Sequence, residues 1–142
     1  MPITDEKKRP ATPLTTRDIA VAAAGAASMK KAGDPVVLDL TGLTVVADFF
    51  VICSGESTTQ VRAVSEHIED ELRKAGIKPR GIEGRTFGHW VLLDYGDVIV
   101  HVFEKETRIF YDLERLWMDA KTIDADENKS DMGRQDKRTV HP

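Results

Sequence analysis

Four groups of side chains in this 142-residue chain are of types that could do chemistry: the Ser54-Gly55-Glu56-Ser57 turn, the carboxylates Asp94 and Asp97, the histidines His67, His89 and His101, and the lone thiol of Cys53. Ser54 to Ser57 joins the apolar run FFVICSG to a helical pattern, and free N–H groups at such a junction can hold phosphate. Against that, Glu56 puts negative charge where phosphate would sit, no P-loop lysine follows, and Ser57 with Gln60 forms an S-x-x-Q capping box. An ordinary helix start is the stronger reading. Asp94 and Asp97 flank Tyr95-Gly96 and could hold magnesium for phosphoryl transfer, but aspartates at strand ends are common turn formers, and no third carboxylate or phosphate-gripping cation is assured beside them. His101 sits in an apolar strand pattern, where a packed, hydrogen-bonded ring is favoured over a base or a pH switch. Cys53 reads as an inert core thiol, and neither His67 nor His89 has a partner at metal-ligand spacing. No catalytic residue, metal or cofactor is expected, and a small metal-dependent nucleotidyltransferase or phosphohydrolase using Asp94 and Asp97 is the alternative.

The elements that position these residues follow from periodicity. Thr15 or Thr16 can cap a helix over about 17–32, with Ile19, Ala22, Ala23, Ala26 and Met29 recurring at helical spacing. Gly25 within it costs about 1 kcal/mol relative to alanine unless a neighbour approaches closely. VVLDL after Pro35 and FFVICSG read as strands, with Thr41 to Asp48 ambiguous between them. A second helix runs from the Ser57 cap to Gly76 on a stripe of Val61, Val64, Ile68 and Leu72, with Arg62 and Glu66, and Glu69 and Arg73, paired on its outer face. Residues 77–82 are a short strand or link, EGRTFGH is a loop, and WVLLDYGDVIVHVF is a hairpin turning at Tyr95-Gly96. ETRIFYDLERLW predicts one short amphipathic helix. The fold class is therefore α/β, one domain with a mixed β-sheet and helices.

Composition sets the boundaries. Residues 1–13 hold three of the six prolines, and the tail from 119 to 142 has no aromatic residue, so both ends are expected to be disordered around a domain at 14–118. Residues 14–118 hold 12 basic and 16 acidic side chains and so carry the whole net charge of −4. That balance disfavours general affinity for a nucleic-acid backbone and favours a basic protein partner. A single cysteine suits a reducing cytoplasm, and neither a membrane span nor a signal peptide is expected.

Alternation along the hairpin is the most informative pattern. Val91, Leu93 and Tyr95, with Val98, Val100 and Val102, read as core beneath the helices. Trp90, Leu92 and Asp94, with Asp97, Ile99, His101 and Phe103, mix aromatic and aliphatic groups with carboxylates. Two readings stay open for that second face: a protein-docking surface with apolar anchors inside a charged rim, or a second core layer under a helix. The docking candidates are Trp90, Leu92, Asp94, Tyr95, Asp97, Ile99 and His101.

The stretches DFFVICSGESTTQV, GIEGRTFGHWVLLDYGDVIVHVF and RIFYDLERLW resemble the Iojap/RsfS family of ribosomal silencing factors over roughly residues 17–117. The resemblance implies a nucleotidyltransferase-like α/β fold lacking that superfamily's metal-binding carboxylates. It also implies a translation repressor that binds the large ribosomal subunit through ribosomal protein L-fourteen and blocks joining of the small subunit when nutrients are scarce. No direct nucleic-acid specificity is expected, and the chain is expected to be a monomer or weak homodimer. The N-terminal extension and the tail depart from the family's short form.

Overall fold

The computed structural model describes residues 14–123. Helix α1 (Thr16–Met29) begins at Thr15, whose hydroxyl accepts from the Asp18 N–H while the Asp18 carboxylate accepts from the Thr15 N–H, a reciprocal capping box. Its alanines 20, 23, 24, 26 and 27 are buried, which lets the helix lie close against its neighbours. Strands β1 (Gly33–Asp39) and β2 (Phe49–Gly55) follow, and helix α2 (Thr58–Lys74) starts from Ser57, whose hydroxyl accepts from the Gln60 N–H at 3.1 Å. The Gln60 side-chain Oε1 accepts from the Glu56 N–H at 2.7 Å, so that donor of the turn is spent on the helix it opens, while the Ser54 hydroxyl donates to the Gly33 carbonyl at 3.3 Å.

Short strand β3 (Gly81–Glu83), then β4 (Trp90–Asp94) and β5 (Val98–Glu104), build the other half of the sheet. The spatial order is β3-β4-β5-β2-β1-β6, with β5 and β2 parallel and the remaining pairs antiparallel. This is a single α/β domain with a mixed sheet, as the pattern predicts, and the sheet has six strands. Helices α1 and α2 cover one face over Val37, Val51, Cys53, Val91, Val100 and Val102. Burial pushes the Cys53 thiol up to about 12, so it stays protonated and unreactive.

Three expectations need correction. The single helix over 106–117 is two short helices, α3 (Lys105–Tyr111) and α4 (Leu113–Leu116), because Asp112 takes the left-handed conformation at φ 47° and ψ 53°. Strand β6 (Lys121–Ile123) lies within the segment expected to be a disordered tail, since Ile123 pairs with Val37 and is buried in the main core. Arg62 does not decorate the outer face with Glu66. Its guanidinium donates to the Arg85 and Thr86 carbonyls at 3.0 and 3.1 Å, pinning the loop before β4 to α2. The expectations for residues 1–13 and 124–142 lie outside the described residues. No described helix is long and apolar enough to cross a membrane.

Candidate protein-docking face

Strand register places the hairpin's second face residue by residue. Across β4, β5 and β2, one row reads Trp90, Phe103, Ser54, the next Leu92, His101, Ile52, and the third Asp94, Ile99, Phe50, with Leu38 of β1 continuing it. These rows divide into two regions. The first is a second core layer: Leu38, Leu40, Phe50, Ile52 and Phe103 are buried, and Leu113 and Trp117 from α4 and its end pack onto them. Trp117 meets Phe50 edge-on at 6.1 Å.

Trp90 and His101 belong to this layer. The Trp90 indole N–H donates to His101 Nδ1 at 3.1 Å, which assigns the remaining imidazole proton to Nε2. Phe50 packs edge-on against the imidazole at 4.6 Å, and Trp90 lies 4.7 Å from Phe103 and 5.0 Å from Tyr111 of α3. Burial lowers the His101 pKa to about 4, so the ring is neutral at physiological pH. The packed reading of His101 is the one found, with the indole as its partner, and the docking reading of Trp90 and His101 is corrected, because Phe50, Phe103 and Tyr111 pack against these rings.

The second region is open. Leu92 and Ile99 are half-buried, with Ile99 also packed against the edge of the second core layer, Asp94 stands beside them at the strand end, and Asp97 is exposed. Glu83 of β3, exposed and paired in register with Leu92, adds a third carboxylate. Sequence reading missed it because a three-residue edge strand leaves no alternation to read. The result is a small apolar patch rimmed by Glu83, Asp94 and Asp97, with the Arg80 side chain alongside Gly96 at one margin. Asp94 also accepts from the Gly96 N–H at 2.7 Å, the turn-forming role its position suggested. Among the described residues no group of three or more His, Cys, Asp or Glu side chains is placed to hold a metal ion.

Tyr95 stands apart from the other candidates. It points to the α1–α2 face, half-buried against the main core, and burial pushes its hydroxyl up to about 12. It therefore cannot share a contact with Leu92 and Ile99 on the opposite side of the sheet. A further apolar surface, invisible to a one-helix reading, lies on α3–α4: Ile109, Phe110, Leu116 and Met118 are all mostly exposed.

The sequence profile described as "Ribosomal silencing factor during starvation" (RsfS) matches residues 13–141. Ribosomal silencing factor RsfS of Bacillus subtilis is 43% identical over 113 residues, spanning 80% of this chain and 96% of that protein. The chloroplastic protein Iojap of Zea mays is 37% identical over 105 residues, 74% of this chain and 46% of that protein. Among solved structures, a protein from Chromobacterium violaceum superposes with a TM-score of 0.71 at 36% identity, covering 73% of this chain and 87% of its own. A Bacillus halodurans protein does so with a TM-score of 0.67 at 38% identity, covering 77% and 99%. With residues 13–141 matched and relatives such as the Bacillus subtilis protein aligned over nearly their whole length, the chain belongs to the RsfS/Iojap family of ribosomal silencing factors.

Proposed function

We propose that this chain represses translation in the cytoplasm by binding ribosomal protein L-fourteen on the large subunit and excluding the small subunit by bulk. The observation that carries the reading is the patch of Leu92 and Ile99 ringed by Glu83, Asp94 and Asp97. Ribosomal proteins are generally cationic, so an acidic rim attracts one, while the surrounding RNA repels a chain of net charge −4. Charge thus selects a protein landing site on a surface that is mostly RNA. A mouse relative, 35% identical over 75 residues, carries the name mitochondrial assembly of ribosomal large subunit protein 1, which supports a large-subunit partner.

Silencing then requires no bond making. A folded body of about 100 residues has a radius of gyration near 13 Å, enough to clash with an incoming subunit if seated on the joining surface. The test uses purified ribosomal subunits and the full chain. The chain is expected to sediment with large subunits and to lower the fraction of joined ribosomes in a gradient as its concentration rises. Undiminished joining at saturating chain would overturn the reading.

A further inference from the structure

Arg108 makes more side-chain hydrogen bonds than the docking patch itself. Its guanidinium donates to the Gly33 carbonyl at 3.0 Å, the Asp34 carbonyl at 2.9 Å and the Ser54 hydroxyl at 3.3 Å, and it pairs at two points with Glu114, Nε to Oε1 at 3.2 Å and Nη2 to Oε2 at 2.9 Å. The side chain is only 11% exposed, so these bonds are partly shielded from water. The geometry of the Glu114 pair is informative. On a continuous helix, residues six apart stand about 9 Å apart along the axis and about 120° apart around it, too far for a two-point pairing. The pair closes because Asp112, which lies between them, breaks the helix in the left-handed conformation.

That break decides which side chains face outward. An unbroken helix would put Phe110, Leu113 and Trp117 on one stripe. In the broken form Leu113 and Trp117 turn inward onto Phe50 and Leu38, while Phe110, Leu116 and Met118 are 79, 72 and 77% exposed. They line an open groove of about 680 Å³ together with Arg115 and Tyr111. Tyr111 lies against Trp90, so this ridge adjoins the strand that carries Leu92.

We infer that Arg108 is a positioning residue for docking: by pairing with Glu114 across the Asp112 break it holds Phe110, Leu116 and Met118 outward as a second, apolar half of the surface that meets the large subunit. This rests on the ribosomal reading above. The occupant follows from continuity: Tyr111 of the ridge packs on Trp90 at the head of the strand that bears the acidic patch, so a protein seated on one half reaches the other.

The experiment measures binding of the full chain to purified large subunits for Arg108→Gln, Glu114→Gln, Phe110→Ala and the Arg108→Gln/Phe110→Ala double variant, with amide hydrogen exchange across 105–117. Arg108→Gln and Phe110→Ala are each expected to weaken binding about tenfold, and the double variant by no more than the worse single one, because both remove the same ridge contact. Exchange across 109–117 should rise in Arg108→Gln while α1 and α2 are unchanged. Glu114→Gln keeps the shape and removes only the charge, so it carries the same test if Arg108→Gln fails to fold. Wild-type affinity in both Arg108→Gln and Glu114→Gln, or fold-losses that multiply in the double variant, would overturn the positioning role. Failure of the wild-type chain to bind at all overturns the ribosomal reading, and this inference with it.

Discussion

The His101 imidazole sits between Phe50 and Phe103 with its Nδ1 committed to the Trp90 indole, and no carboxylate is among these contacts. Its pKa is lowered from 6.5 to about 4 by burial, so the unfolded chain takes up a proton that the folded chain refuses. The contribution is complete above about pH 6.5 and is lost as the pH falls toward about 4, amounting to about 3 kcal/mol across that window. Denaturant melts from pH 7 to 4.5 should therefore show falling stability in the parent and a flatter profile in His101→Gln, whose side-chain carbonyl can still accept from Trp90. Asp39, Glu69 and Glu71 also have lowered pKa values, and as carboxylates they lose their contribution only as the pH falls past their ordinary values of 3.8 and 4.5, so the upper part of the window is the part that isolates His101. Trp90→Ala removes the ring contacts to Phe103 and Tyr111 as well as the donor to His101, so it should cost about 3 kcal/mol of stability. A loss under about 1 kcal/mol in the same melts would mark Trp90 as a free surface anchor instead.

At the scale of elements, β6 is the addition with the clearest consequence. Val37, Leu38 and Asp39 pair with Ile123, Thr122 and Lys121, which covers the second half of the β1 edge and buries Ile123. A chain ending at residue 118 should melt at a lower temperature than one ending at 123, by roughly 4–8 °C for each kcal/mol lost in a domain of this size. Equal melting would show that β6 adds nothing to the folded state. Where sequence and structure agree, a strong local signal is present: the capped helices α1 and α2 and the alternating β4–β5 hairpin are all legible in periodicity and turn residues. The misses have a common physical origin. Arg62 with Arg85, Arg108 with Gly33, and Ile123 with Val37 are long-range contacts, and a stretch such as RIFYDLERLW is helical by pattern, with no local signal for the left-handed Asp112 that breaks it. Of the docking candidates, Leu92, Asp94, Asp97 and Ile99 share the open region. Trp90 and His101 went to the second core layer because α3–α4 folds back over them, which alternation alone could not reveal.

For the molecule as a whole, the distribution of charge makes a kinetic prediction. Replacing Glu83 with glutamine and Asp94 and Asp97 with asparagine deletes three negative charges from one rim, with Arg80 remaining beside it. Association with large subunits should slow and lose most of its salt dependence, while the melting temperature changes little, since surface charges contribute little to stability. An unchanged salt dependence in stopped-flow association would place the steering charge elsewhere. The sheet's outline adds a constraint of another kind. Its long strands β1, β2 and β5 have seven residues each and lie inside, whereas the outermost strands β3 and β6 have three apiece. Among the described residues, borders that short offer few main-chain N–H and C=O groups as a template for a further strand from another polypeptide. Such borders, among the described residues, disfavour edge-to-edge aggregation and favour recognition by side chains on a face over extension of the sheet.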